Sequence, residues 1–133
     1  VPAALLDKFH YAKVHNLKKV VIWGDGIPFR EFMHADDFAD ACIFILKKYK
    51  KKDIINIGTG EDISIKDFAH LIMNVVGYKG RVVFDKNKPS GIKKKLLDVS
   101  KLKKMGWRPK FRLKNGIKNY YQWYLENINR LRK

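Results

Sequence analysis

The stretch Val20-Val21-Ile22-Trp23-Gly24-Asp25-Gly26-Ile27-Pro28-Phe29-Arg30-Glu31-Phe32-Met33-His34-Ala35-Asp36-Asp37 decides the fold. Its first four residues are β-branched or aromatic, and Gly24-Asp25-Gly26 is a turn signal. Arg30 to His34 then resumes an extended pattern, so the stretch reads as a hairpin or as two short strands. Asp36 or Asp37 follows as the cap of a helix.

That helix has the clearest periodicity in the chain, with Phe38, Ala41, Cys42, Ile45, Leu46 and Tyr49 recurring at steps of three and four. Lysines from Lys47 to Lys52 stand where cations suit a helix C-terminus. Ile54 to Ile57 reads as a short strand and Gly58-Thr59-Gly60 as a turn. Ser64, with Asp67 three residues on, resembles a capping box. It opens a second amphipathic helix that carries Ile65, Phe68, Ile72, Val75 and Val76 and stops at Gly77.

Upstream, Pro2 precedes Leu5, Leu6, Phe9 and Ala12, a helix with proline in its opening turn that ends near Asn16. Downstream, Arg81 to Phe84 is a strand and Asp85 to Lys95 a loop marked by Pro89, Ser90 and Gly91. Asp98 or Ser100 caps a short helix ending at Met105-Gly106, and a last helix aligns Ile117, Tyr121, Tyr124, Ile128 and Leu131. The pattern predicts one α/β domain of mixed α+β type over residues 1–133, about five helices with short strands, and no internal repeat.

Composition excludes several classes. Aliphatic and aromatic residues make up 46% of the 133, enough for a packed core, so disorder is not expected. The lone Cys42 cannot form an internal disulfide or a cysteine zinc site, and its place on an apolar helix stripe argues for core. No apolar run reaches the roughly 18 residues a membrane span requires. A cytoplasmic protein is expected, and the absence of an initiator Met suggests an excised piece or a processed product. The net charge of +16 invites a polyanion. However, the 23 Lys against 6 Arg are scattered along the chain, which argues for a lysine-biased surface over a nucleic-acid-binding face.

No catalytic centre is legible. Gly58-x-Gly60 and Gly24-x-Gly26 both lack the third glycine of a dinucleotide fingerprint, since Ile63 and Phe29 stand in its place. Each reads as a structural turn, and no cofactor-binding residue is assigned. His10, His15, His34 and His70 have no metal-ligand spacing, so no metal is expected. Two constellations fit a local anionic ligand. Trp23 and Arg30, joined by a turn, can bring an indole face and a guanidinium to one pocket, as a base with a diphosphate would need. The loop Lys88-Pro89-Ser90-Gly91-Ile92-Lys93-Lys94-Lys95 could close over phosphate. A core tryptophan, an Arg30 paired with Glu31 or Asp36, and a plain solvated loop fit the spacing equally well.

The same stretch from Val20 to Asp37 resembles the GDP-L-fucose synthases of the extended short-chain dehydrogenase/reductase superfamily. The likeness continues through Asn56-Ile57-Gly58-Thr59-Gly60, Val76-Gly77-Tyr78-Lys79-Gly80-Arg81, Lys88-Pro89, Lys95-Leu96-Leu97-Asp98-Val99 and Tyr121-Gln122-Trp123. The resemblance implies the C-terminal substrate domain of such an enzyme, without its N-terminal Rossmann domain. In that family the missing part binds NADPH and carries the Ser and Tyr-x-x-x-Lys groups, and an acid/base Cys and His also lie upstream. No tyrosine here is followed four residues later by lysine, Cys42 does not match the family's cysteine, and no catalytic residue is carried over.

What carries over are contacts to a GDP-sugar: Lys8 and Arg30 toward the phosphates, Trp23 toward the substrate, and Lys95 near the diphosphate. Ser90 departs from the family, which usually has Asp in this loop, and that leaves base or sugar recognition open at this corner. The resemblance further implies a homodimer for the whole enzyme. Alternatives are the substrate domain of another nucleotide-sugar epimerase or dehydratase, taking a UDP- or dTDP-sugar, and a basic nucleic-acid-binding module.

Overall fold

The computed structural model describes residues 1–131. Helix α1, Pro2–Val14, has its proline in the first turn and ends where Asn16 takes a positive φ of 51°. Strand β1, Lys19–Trp23, alternates exposed and buried side chains and pairs in parallel with β4, Arg81–Asp85. A second sheet has the order β3-β2-β5. In it β2, Phe29–Arg30, runs antiparallel to β3, Ile63–Ser64, and parallel to β5, Lys94–Lys95. The opening stretch is therefore two short strands in different sheets, and the hairpin reading fails. The turn at Gly24–Gly26 carries the chain from one sheet to the other.

Helix α2, Ala35–Lys48, is capped by His34, whose Nδ1 accepts the Asp36 N–H at 3.3 Å. Neither aspartate serves as the cap. Asp37 instead points inward, 1% exposed, and accepts the N–H groups of Lys110 and Phe111, each at 3.0 Å. That turn of α2 sets which face is buried. Ala41 packs with Leu102 and Trp107, whereas Phe38 and Leu46 stay exposed, so the expected stripe is only partly covered. Cys42 is half-buried. Ile54 to Ile57 is irregular and not a strand, with Ile54 in solvent.

Ser64 caps α3, Ile65–Val76, with one half of the expected capping box. Its Oγ accepts the Asp67 N–H at 3.0 Å and donates to Asp67 Oδ2 at 2.6 Å. The short α4, Ser100–Lys104, has Val99 at its N-cap and no side-chain cap, so neither Asp98 nor Ser100 fills that place; Asp98 Oδ1 instead accepts the Ser100 N–H at 2.9 Å. The last helix, α5, spans Leu113–Asn127 and ends in a 3₁₀ turn, Ile128–Arg130.

Helices α1, α3 and α5 enclose the main core, built on Leu6, Phe9, Phe68 and Ile72, with Val20 and Ile22 from β1 and Ile117 and Tyr124 from α5. Each such side chain contributes roughly 1.5–3 kcal/mol by leaving water. Polar ties fix the helices in register: Tyr124 Oη donates to Asp7 Oδ1 at 2.7 Å, and Lys13 Nζ to the Val76 carbonyl at 2.7 Å. This layer holds the N-terminal half of α1 beside the C-terminal end of β1, where the candidate site lies.

Candidate functional site

At the end of β1 the chain turns through Gly24, Asp25 and Gly26 and meets the loop that follows β4. Gly24 has φ +86°, and a Cβ there would stand 2.9 Å from Ser90 Cα, so only glycine lets the loop lie this close. Ser90 Oγ accepts the Asp25 N–H at 3.1 Å, and Asp25 Oδ1 accepts the Ile27 N–H at 3.0 Å. The Ile27 amide first, and the Ser90 hydroxyl second, hold the Asp25 carboxyl below its ordinary range.

Beside this turn Lys8, Ile22, Trp23, Pro28, Arg30 and Ser90 line one cleft of about 320 Å³. Lys8 reaches it from α1, its Nζ donating to the Val21 carbonyl at 3.2 Å. Trp23 is 65% exposed, which rules out the core-tryptophan reading. Arg30 Nη1 donates to the Phe29 carbonyl at 2.6 Å. Among the described residues no carboxylate forms an ion pair with Lys8 or Arg30. The cleft thus joins an indole face to two cations whose charge is not spent internally, a combination that takes a planar group carrying an anion.

Four of the five residues expected from sequence meet here. Lys95 is the register partner of Arg30 across β2 and β5 but does not line the cleft. It is exposed at the sheet edge, and its neighbour Lys94 pairs with Asp62 at 3.2 Å. Lys88 Nζ lies 5.5 Å from the Trp23 ring centroid, over the indole.

Glu31 has a part that sequence reasoning missed. Its Oε1 accepts the N–H groups of Thr59 at 2.5 Å and Gly60 at 2.7 Å and the Thr59 hydroxyl at 3.1 Å, while Oε2 accepts the Leu97 N–H at 3.0 Å. A Cβ on Gly58 would sit 2.5 Å from the same Oε1. Glu31 therefore ties the end of β2 to the Gly-Thr-Gly turn and to the chain beyond β5, and it leaves Arg30 free. The signal available was an acid next to an expected ligand residue, with a glycine turn elsewhere that needed an acceptor.

Several backbone amides of the two glycine turns are engaged within the chain. The Thr59 and Gly60 amides are spent on Glu31, those of Gly24 and Asp25 on the Asp85 carbonyl and Ser90, and that of Ile27 on the Asp25 side chain. The histidines are also engaged locally: His10 with Tyr121, His34 with Asn119, His15 and His70 with carbonyls one turn back. Among the described residues no group of three or more potential ligands could hold a metal.

Residues 1–58 match the model of the NAD dependent epimerase/dehydratase family. The GDP-L-fucose synthase of Escherichia coli (strain K12) is 46% identical over 97% of the chain and 43% of its own length. The first 58 residues of this chain are thus similar to that epimerase/dehydratase family. Among solved structures, the chain resembles a GDP-mannoheptose C4 reductase from Campylobacter jejuni with NADP bound. The likeness is 42% in identity, with a TM-score of 0.83 over 93% of the chain and 44% of that protein. A GDP-L-fucose synthetase from Naegleria fowleri bound to NADP is 27% identical, with a TM-score of 0.93 over 100% of the chain and 42% of that protein. The chain spans about two fifths of the length of these relatives. The mixed α/β fold is thus shared with these solved structures, and the run from β1 to α2, which carries Trp23 and Arg30, lies within the matched residues 1–58.

Proposed function

We propose that this chain is the substrate-holding part of a GDP-sugar epimerase/reductase of the GDP-L-fucose synthase type, and that its cleft binds the nucleoside diphosphate of the substrate. The observation that carries the reading is the convergence of Lys8, Trp23, Arg30 and Ser90 on one cleft, with neither cation ion-paired among the described residues. Arg30 supplies a fork-shaped donor set suited to phosphate oxygens, Lys8 a second positive charge, and Trp23 a face for a planar base. Held this way, the nucleotide fixes where the sugar ring projects, so the contribution to rate is one of orientation. Lys95, next to Arg30 on the sheet, acts toward the same diphosphate from outside the cleft.

In a protein of the relatives' full length, the reaction is conversion of GDP-4-keto-6-deoxy-D-mannose to GDP-L-fucose by epimerisation at C3 and C5 and NADPH-dependent reduction at C4. On this reading the reacting groups and the cofactor site belong to the rest of such a protein, a cytoplasmic homodimer, and the present residues bind only the GDP moiety. A second reading, a reductase acting on another GDP-sugar, draws support from the 42% likeness to the GDP-mannoheptose C4 reductase.

Titration of the chain with GDP, UDP and a short oligonucleotide at two salt concentrations tests the assignment. GDP preferred over UDP, with weak salt dependence, supports it. Preference for UDP points to a different nucleotide-sugar enzyme, and steep salt-dependent oligonucleotide binding replaces the reading with a polyanion-binding module.

A further inference from the structure

Beside the cleft stands one cation whose placement the proposed reading does not use. Lys88 stands on the loop after β4, and its ammonium rests over the exposed face of Trp23, 5.5 Å from the ring centroid. The loop is not free to leave as a whole. Ser90 Oγ holds the Asp25 N–H, Ser90 Cα is packed against Gly24, and the Lys93 carbonyl accepts the Phe29 N–H at 2.8 Å. Gly91 lies against Arg30, where a Cβ would come within 3.3 Å of Nη2. Lys88 is therefore a flexible arm on a fixed mount. Among the described residues no carboxylate pairs with it, and the indole is its one recorded partner.

We infer that Lys88 guards the stacking face of Trp23 and makes the cleft select ligands that carry phosphate together with a base. This rests on the proposal that the cleft binds a nucleotide. A planar base can stack on Trp23 only by displacing the ammonium, which loses its attraction to the ring quadrupole. A neutral nucleoside gives the displaced cation nothing in return. A nucleoside diphosphate brings anionic oxygens to Arg30 and Lys8, within reach of the same flexible arm, and Lys88 exchanges an aromatic partner for a charged one. Lys88 thus penalises the nucleoside and rewards the diphosphate, raising their affinity ratio with no contact to the base itself.

The test compares GDP with guanosine in the unaltered chain, in Lys88→Ala and in Lys88→Arg, followed by the Trp23 indole signal, with Trp23→Phe identifying that signal. In Lys88→Ala guanosine tightens by about two- to fivefold, the range for loss of an exposed cation over an aromatic ring. GDP weakens over the same comparison, so the GDP-to-guanosine ratio falls. Lys88→Arg, which keeps a cation able to stack and to pair with phosphate, retains the ratio. An unchanged ratio in Lys88→Ala overturns the inference while GDP binding leaves the nucleotide reading intact. Absence of any GDP or guanosine effect on Trp23 overturns both.

Discussion

Glu31 Oε1 accepts the backbone N–H of Gly60 at 2.7 Å, across 29 positions of sequence. With the Thr59 and Leu97 amides it makes one carboxylate the joint of three segments. Glu31→Ala leaves these donors without their acceptor and lowers stability by about 2–4 kcal/mol, given a charged acceptor and several part-buried N–H groups. Urea unfolding monitored by circular dichroism reads the loss. A variant within 0.5 kcal/mol of the unaltered chain would show that water replaces the carboxylate.

Asp37 tests the seat of α2. Its carboxylate is 1% exposed and takes both the Lys110 and Phe111 amides. Asp37→Ala removes both acceptors from a closed site and costs about 2–4 kcal/mol. Asp37→Asn keeps one oxygen and costs less. Equal midpoints for the two substitutions in thermal unfolding would contradict this geometry.

His10 gives a pH dependence. Burial, chiefly, and then the Lys13 charge push its pKa below 6.5, while Asp7 opposes them. From α5 the facing groups are the Tyr121 hydroxyl, 3.1 Å from Nδ1, and the Tyr124 ring. The folded chain then binds fewer protons at this site than the unfolded chain. This stabilising term is complete above the unfolded pKa of about 6.5 and is lost as pH falls through the lower folded value. Stability measured at pH 7.5 and pH 5 declines toward acid, and His10→Gln flattens the decline. An identical slope in His10→Gln would remove His10 from the account.

Gly24 links the fold to the cleft. Gly24→Ala places a left-handed alanine against Ser90, at about 1–2 kcal/mol for the backbone alone, and displaces the loop that carries Lys88. The expected signature is a changed Trp23 emission and weaker GDP binding in a chain that still unfolds cooperatively. Unaltered GDP affinity would mean that the loop's closeness is not required.

The helices were legible because they are written locally. The Ser64 cap, the proline of α1 and the apolar spacing of α3 each act within a few residues. The failures occur where a distant partner decides the matter. The hairpin reading failed because β1 and β2 find partners in β4 and β5, more than 60 residues on. The cap of α2 passed to His34 because the Lys110 and Phe111 amides claim Asp37. Phe38 and Leu46 look like core by spacing, but the inward turn of Asp37 leaves them in solvent. The candidate cleft was legible from residue type at Trp23 and Arg30. That Glu31 would serve the Gly-Thr-Gly turn and leave Arg30 unpaired was not, since no local pattern marks an acceptor 28 residues from its donors.

The central claim is that one cleft, with Arg30 as its phosphate-facing cation, holds the nucleoside diphosphate. Calorimetric titration of GDP into the unaltered chain and into Arg30→Ala tests it most directly. The account predicts binding by the former and at least a roughly tenfold loss in the latter, the scale of a hydrogen bond to a charged group, with the unfolding midpoint unchanged because Arg30 pairs with no carboxylate among the described residues. Equal GDP affinity in the two proteins would contradict it.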